Sequence, residues 1–402
     1  MYDPFKSTTY FVQEMLLKNE TIYSRGNIGI PKENQTIEKR LAITPETTSL
    51  LVEMGYQVIF ESGAGLGINY SDNNYAENGA IIVDTPQEVY QHSDYIMKMA
   101  LPTESELLMM KPRSVFFSFL NIPQLCIQSL KIMAEKRISA IAYEFIQDHT
   151  KTSPFVTAIS EIEGIASITV ASEMLSNASG GKGILLGGVP GISPTEIVII
   201  GAGIAGTTAA KSAMSLGALV RVFDNDIEKL RTIQNKLGQN LFTSTFQSKV
   251  LRNAFRSADV VIGSMQYVGK NNTYRISEDL IREMKNGAII IDLRISQGGC
   301  FETTMEVCIQ NQKPIFEKHG VLHFCEKSIS SRVSRTASIS LSNIIADLFT
   351  QIGNCGGFSP MAHIDRDFAS GFYMYNGKVV NSYVGNHFNV SVNDIGLFLN
   401  EF

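Results

Sequence analysis

The chain lacks the marks of several protein classes. It has few cysteines: Cys126, Cys300, Cys308, Cys325 and Cys355 are an odd number among 402 residues, with no CxxC spacing. That excludes a disulfide framework and a cysteine-rich zinc site, and it fits free thiols in a reducing compartment. No His, Cys and Asp residues cluster at ligand spacing, so no metal is expected. There is no basic excess, the net charge being −5, so a nucleic-acid partner is not expected. No run reaches the about 18 uninterrupted apolar residues that a membrane-crossing helix needs. The most apolar stretch, Ile184 to Gly206, is broken by Pro190, Pro194 and Glu196. The opening MYDPFKSTTYFVQEMLLKNE mixes charge into its apolar residues and does not read as a signal peptide. Internal repeats and low-complexity tracts are also missing. What remains is a globular protein with no expected membrane contact, for which the cytoplasm is the default.

The length allows two or three domains. Residues 1–25 read as an amphipathic helical extension. From Asn27 short strands alternate with helices: NIGI (27–30), YQVIFE (56–61), AIIV (80–83), DYIMKM (94–99), VFFSF (115–119) and ISAIA (138–142). A second series runs through TEIVII (195–200), ALVRVF (218–223), DVVIGS (259–264) and AIIIDL (288–293). Alternation of this kind predicts parallel strands with crossover helices. Thr44-Pro45 opens a helix that Gly55 closes. A helix over about 160–177 joins the two series, followed by a linker with a short strand, ILLGGVPGISP (184–194). A second long helix, about 335–352, carries the chain back.

The segment IVIIGAGIAG carries the chemistry. A β-branched run leads into Gly201-x-Gly203-x-x-Gly206, and a helix follows directly. Gly201 permits the tight turn, Gly203 lets backbone approach a pyrophosphate, and Gly206 lets helix and strand pack closely. Phosphates then meet free N–H groups at the helix start, where Ile204 stands. The next strand ends in Asp224, at the position of the carboxylate that binds a ribose 2′-hydroxyl about 20 residues on. A carboxylate there favours NAD over NADP. Asp226 competes for the same contact.

With those residues placed, the chain resembles the alanine dehydrogenase / transhydrogenase α-subunit family, closest to alanine dehydrogenase. GIPKE (29–33), KRLAITP (39–45), ESGAGLG (61–67), YSDNNYAENGA (70–80), KGILLGGVPG (182–191), VIIGAGIAG (198–206), DLRISQGGC (292–300) and YNGKV (375–379) carry the likeness. The resemblance implies a two-lobed α/β fold, a Rossmann dinucleotide-binding domain inserted between the parts of a second α/β substrate domain. The expected division is 26–155 and 333–402 for the substrate domain and 156–332 for the NAD domain. It also implies NAD as cofactor, a small amino acid or 2-oxo acid as substrate, and a homo-oligomer, a hexamer as in alanine dehydrogenases. By the same likeness Arg40 holds the substrate carboxylate, Lys98 is its second cation, and Ser160 touches the cofactor, unless it is an ordinary helix N-cap.

The departures matter as much. Where the family has a catalytic histidine this chain has Asn121, and Ser296 in DLRISQGG replaces the catalytic aspartate of DxxIDQGG. Neither exchanges a proton unaided near neutral pH. Lys98, its pKa lowered by burial, is then the remaining proton-transfer candidate. The loop written ANMPGAVPRT in alanine dehydrogenases reads KSISSRVSRT (327–336) here, with Arg332 new; Arg294 is new as well. If these arginines face the cleft they indicate a larger or more acidic ligand than alanine. The leading expectation is an NAD-dependent amino-acid dehydrogenase. The alternatives are a dehydrogenase for another amino acid, a transhydrogenase-like hydride carrier, and an NAD(H)-binding regulatory homologue without chemistry. His323 and His149 read as structural.

Overall fold

The computed structural model describes residues 25–238, 241–265, 275–305 and 314–399. The extension expected over 1–25 lies outside that set except for Arg25, and so does Cys308.

Strands β1 (Asn27–Ile30), β2 (Gln57–Glu61), β3 (Ile81–Val83), β4 (Tyr95–Met97), β5 (Val115–Ser118) and β6 (Ser139–Ala142) pair in parallel. The second sheet holds β7 (Glu196–Ile200), β8 (Leu219–Phe223), β9 (Phe242–Ser244), β10 (Val260–Gly263), β11 (Ile289–Asp292), β12 (Ile315–Lys318) and β13 (Val321–Phe324). Its order is β12-β13-β11-β10-β7-β8-β9, and only β12 runs antiparallel. The chain then returns to the first sheet as β14 (Phe372–Tyr375) and β15 (Lys378–Val379), giving the order β15-β14-β6-β5-β4-β1-β2-β3. The central strands are buried end to end because helices cover both faces of a parallel sheet. The expected two-lobed fold, with a dinucleotide sheet inserted into the chain of the other lobe, is the one observed.

Some details differ. Strands β9 and β12 were not expected, being short edge strands of three and four residues with weak apolar patterning. The turn at Asn376-Gly377, with φ of +47° and +79°, makes a two-residue hairpin and so turns the expected loop-rich tail into an edge of the sheet. The linker contains no strand, only a bridge between Val189 and Ile192.

Helix α1 (Pro154–Leu175) begins six residues before the expected start. Ser153 is its N-cap and Pro154 its first residue, the pair that best satisfies free N–H groups and fixes φ. Ser160 is therefore not a cap; it is buried in the second turn. By length and composition α1 is apolar enough to cross a membrane, but over half of that window is buried inside the protein. Its apolar surface packs on α2 (Ile204–Ser215), closely enough that a Cβ on Gly164 would lie 2.5 Å from the Ala205 carbonyl oxygen.

Helix α3 (Ser334–Asn354) is laced to the Arg40 segment by serines one turn apart. Ser338 and Ser342 accept the N–H groups of Leu41 and Thr44, and Ser331 accepts that of Lys39. Thr44 stands at the expected helix start, yet its hydroxyl pairs with Ser342 rather than capping Pro45–Glu53. The serine-rich loop thus fixes the backbone on both sides of Arg40.

Candidate functional site

The glycine loop leaves the C-terminal end of β7, where the second sheet reverses its strand order between β7 and β10. Gly201 has φ of +109°, a conformation that side chains resist, and its N–H donates to the Phe223 carbonyl at 2.7 Å. A Cβ on Gly206 would stand 2.0 Å from the Gly201 oxygen, so strand and helix touch backbone to backbone there. Gly203 is the opposite case. Nothing lies within 4 Å of its Cβ position, which is open space beside the free N–H groups at the start of α2.

Asp224 lies just past β8. Its carboxylate accepts the N–H of Ala202 at 2.7 Å and of Asp226 at 2.9 Å. Asp226 is consumed instead in capping the helix Ile227–Leu237. Ser160, Gly201, Gly203, Ile204 and Asp224 line one cleft, while Gly206 lies beneath it. A bare backbone cradle next to a strand-end carboxylate fits a dinucleotide. The sequence reading missed Lys229, Ser264 and Met265, which complete the lining with Arg294. Ser264 and Arg294 follow β10 and β11, and the rule that ligands sit at strand C-termini was the available signal for them.

The C-terminal ends of the first sheet carry the substrate-side candidates: Glu33 beyond β1, Lys98 after β4, Asn121 after β5 and Glu144 after β6. Arg40 is buried and faces Glu38 in a fork, Nε–Oε1 2.8 Å and Nη2–Oε2 2.6 Å. Its Nη1 reaches Ser330 at 3.2 Å, and its guanidinium lies 5.5 Å from the Phe119 ring centre. Burial pulls its pKa down, but Glu38, Glu163 and Glu33 outweigh that and raise it.

Lys98 needs correction. Its ammonium is 2.5 Å from Glu106 and 3.6 Å from Glu33, and Tyr90 donates to the same Glu106 oxygen. Burial disfavours its charge, yet the two carboxylates overcome it and push its pKa above the ordinary lysine value. A lysine held so firmly as a cation is not the lowered-pKa proton carrier expected. Glu33 uses its other oxygen to accept the Met99 N–H at 2.6 Å, so the pair stitches β1 to β4.

Asn121 is half-buried at the start of the turn Ile122–Gln124, and Ser296 lies in the turn Ile295–Gln297. Neither side chain has a hydrogen-bond partner among the described residues. Neither is brought into the cofactor cleft lining. Arg332 is turned away to Glu326, with Nε–Oε2 and Nη2–Oε1 both 2.9 Å, and to Glu173. Arg294 does face the cleft, held 3.6 Å from Glu163 on α1. Sequence reading also missed Glu144, whose carboxylate accepts the Leu120 N–H. Burial pushes its pKa up to about 7, against the pull of that N–H and of Arg40.

His323 is fully buried, bonded to Thr303 and the Val321 carbonyl and stacked on Phe316. His149 is exposed. Burial lowers the His323 pKa to about 4, so the folded state holds it neutral. Because the unfolded chain then binds more protons between about pH 6.5 and 4, stability is complete above that window and falls through it, by up to about 3 kcal/mol. Urea melts at pH 7.5 and pH 5 on the parent and on His323→Gln check this: the variant is expected to lose that part of the slope, and an identical slope refutes it. Among the described residues no group of three His, Cys, Asp or Glu side chains is arranged to hold a metal.

Comparison with known proteins shows the family. The N-terminal domain of the alanine dehydrogenase/PNT family matches residues 29–163 and its C-terminal domain residues 167–382. The alanine dehydrogenase of Methanococcus maripaludis is 36% identical over 355 residues, 88% of this chain and 94% of that protein. The alanine dehydrogenase of Bacillus subtilis is 35% identical over 338 residues, 83% and 88% of the two chains. A solved L-alanine dehydrogenase superposes with a TM-score of 0.81 at 30% identity, covering 90% of this chain and 99% of its own. A transhydrogenase from Sinorhizobium meliloti shares the fold, with a TM-score of 0.72, 20% identity, and coverage of 89% and 99%.

Proposed function

The chain belongs to the alanine dehydrogenase/PNT family and is an NAD-dependent oxidoreductase of that kind, and from this premise we propose that it interconverts a small L-amino acid, alanine first among them, with its 2-oxo acid and ammonia. The observation that carries the reading is the bare Gly203 cradle beside Asp224, in a cleft that Arg294 also lines, with the Arg294 guanidinium set beside Glu163 on α1.

Gly201, Gly203 and Ile204 hold the pyrophosphate, with Gly206 keeping strand and helix in contact beneath them. Asp224 accepts from the ribose hydroxyl and Ser160 borders the nicotinamide. When bound, NAD supplies the acceptor for the hydride that leaves the substrate α-carbon. Arg40 holds the substrate carboxylate through Nη1, the edge not engaged by Glu38. Lys98 keeps its positive charge near that carboxylate and anchors Glu33 rather than moving protons. Asn121 donates its amide N–H to the carbonyl oxygen, and Ser296 orients the attacking water. The net reaction, amino acid plus NAD and water to oxo acid, ammonium, NADH and one proton, needs a group that accepts protons, and neither Asn121 nor Ser296 is one. We place the enzyme in a reducing compartment as a homo-oligomer, a hexamer as the family likeness implies; the exposed Leu185, Val189 and Ile192 on the linker supply apolar surface for such contacts.

The test is NADH formation with each small amino acid in turn. Turnover with L-alanine or a close relative is expected, and Asn121→His with Ser296→Asp raises it by about 10²-fold or more. Binding of NADH without turnover of any amino acid favours the regulatory reading instead.

A further inference from the structure

We propose that Glu163, one turn beyond Ser160 on α1 and beside the cleft-lining Arg294, is the acid/base carboxylate of the reaction and does the proton work that Ser296 cannot. The proposal rests on the dehydrogenase reading and adds to it the residue that the altered motifs leave missing.

Ser160 lies one turn earlier on α1 and lines the cofactor cleft, and residues three apart share a helix face. Gly164, in contact with Ala205, fixes the height of that face against the glycine loop. The Glu163 side chain is only 12% exposed, and Arg294 Nη1 stands 3.6 Å from its Oε2. That Oε2 has no hydrogen-bond partner among the described residues, and neither has Arg294 Nε. A buried acceptor and a buried donor left open side by side are costly. An α-amino acid satisfies both, its ammonium donating to Oε2 and its carboxylate or incipient carbonyl accepting from Nε.

The surroundings suit proton exchange. Burial favours the neutral acid, while the guanidinium of Arg294, and then that of Arg40, pull the other way; the pKa ends above the ordinary glutamate value. Those two arginines are the charged groups facing Glu163, one just beyond β11 and one in the loop that follows β1, with Glu38 bound to Arg40. Other candidates are occupied. Both oxygens of Glu144 are turned to the Leu120 N–H at 2.8 and 3.0 Å, and Lys98 is locked between carboxylates.

Proton balance then closes. The substrate ammonium gives one proton to Oε2, which passes it to solvent. After the α-hydrogen has left, water adds to the iminium carbon and gives its proton to the same carboxylate. Glu163 returns that proton to the departing nitrogen. As the C–N bond breaks with its electron pair on nitrogen, the carbinolamine hydroxyl becomes the carbonyl and gives its proton to Glu163, which passes it to the released ammonia to form ammonium. One proton reaches solvent per turnover.

Glu163→Gln keeps the shape and removes the proton site. In the full-length protein, NADH titration is expected to stay within threefold of the parent while kcat falls about 10²–10⁴-fold. The rise of kcat/KM with pH in the parent flattens in this variant. In Glu163→Ala, formate at high concentration recovers part of the rate; Glu163→Asp, which keeps a carboxylate, retains part of it and serves the same test should either of the other variants fold poorly. A folded, NADH-binding Gln variant with full kcat, or an Ala variant deaf to formate, overturns the assignment of Glu163 alone. A parent that oxidises no amino acid overturns the dehydrogenase reading and this assignment together.

Discussion

Gly203→Ala is expected to fold as the parent does and to lose its coenzyme, whereas Gly206→Ala is expected to lose its fold first. The two glycines stand three residues apart in one motif, and the structure gives them opposite surroundings. At Gly203 the added methyl meets nothing within 4 Å and the backbone φ is −72°, so the apo protein tolerates it, within about 0.5 kcal/mol. The same methyl stands where a pyrophosphate must touch backbone. An extra methyl in a close contact costs about 1–3 kcal/mol, which weakens NADH binding about 10–100-fold. At Gly206 the methyl meets the Gly201 oxygen at 2.0 Å and Ser264 Oγ at 2.8 Å, and two backbone segments must separate. That costs about 3 kcal/mol or more, whether or not coenzyme is present. Thermal melts and fluorescence titration with NADH separate the effects. Equal losses in both assays for both variants would refute this account of the loop.

Arg40 has the second large effect, and two roles that one substitution cannot separate. Arg40→Met leaves Glu38 buried and unpaired, a change that typically costs about 3–5 kcal/mol. Arg40→Met with Glu38→Gln removes both charges and is expected to recover most of that stability. Amino-acid binding does not recover, because a lost charge-assisted hydrogen bond is worth about 1.5–3 kcal/mol, or about 10–100-fold in KM. NADH binding stays near the parental value in the double variant, since Arg40 does not line the cofactor cleft. Denaturant midpoints, KM for the amino acid and the NADH dissociation constant are the three measurements. Recovery of KM along with stability would mean that Arg40 serves the fold alone.

The coenzyme half of the site was legible in the chain because it is local. A strand, three glycines, a helix and the next strand's terminal carboxylate follow one another without interruption, and each glycine answers to a backbone constraint set by its neighbours. The substrate half was not, because charge states are set by residues far apart in sequence. Lys98 alone suggests a buried lysine with a lowered pKa. The carboxylates that reverse that shift are Glu106, on the helix that folds back after β4, and Glu33, which reaches it only once β1 pairs with β4. Arg332 and Arg294 look alike as new arginines, yet one turns to Glu326 and the other faces the cleft.

The sequence by itself determined the α/β order of elements, the inserted dinucleotide sheet, the glycine loop and Asp224, since strand and helix periods and turn glycines act over a few residues. Only the tertiary structure decided that Asp226 is a helix cap, that Ser160 lies past the start of α1, and that Glu163 meets Arg294. Burial, and the partners that buried charges find, depend on how the two lobes close on each other.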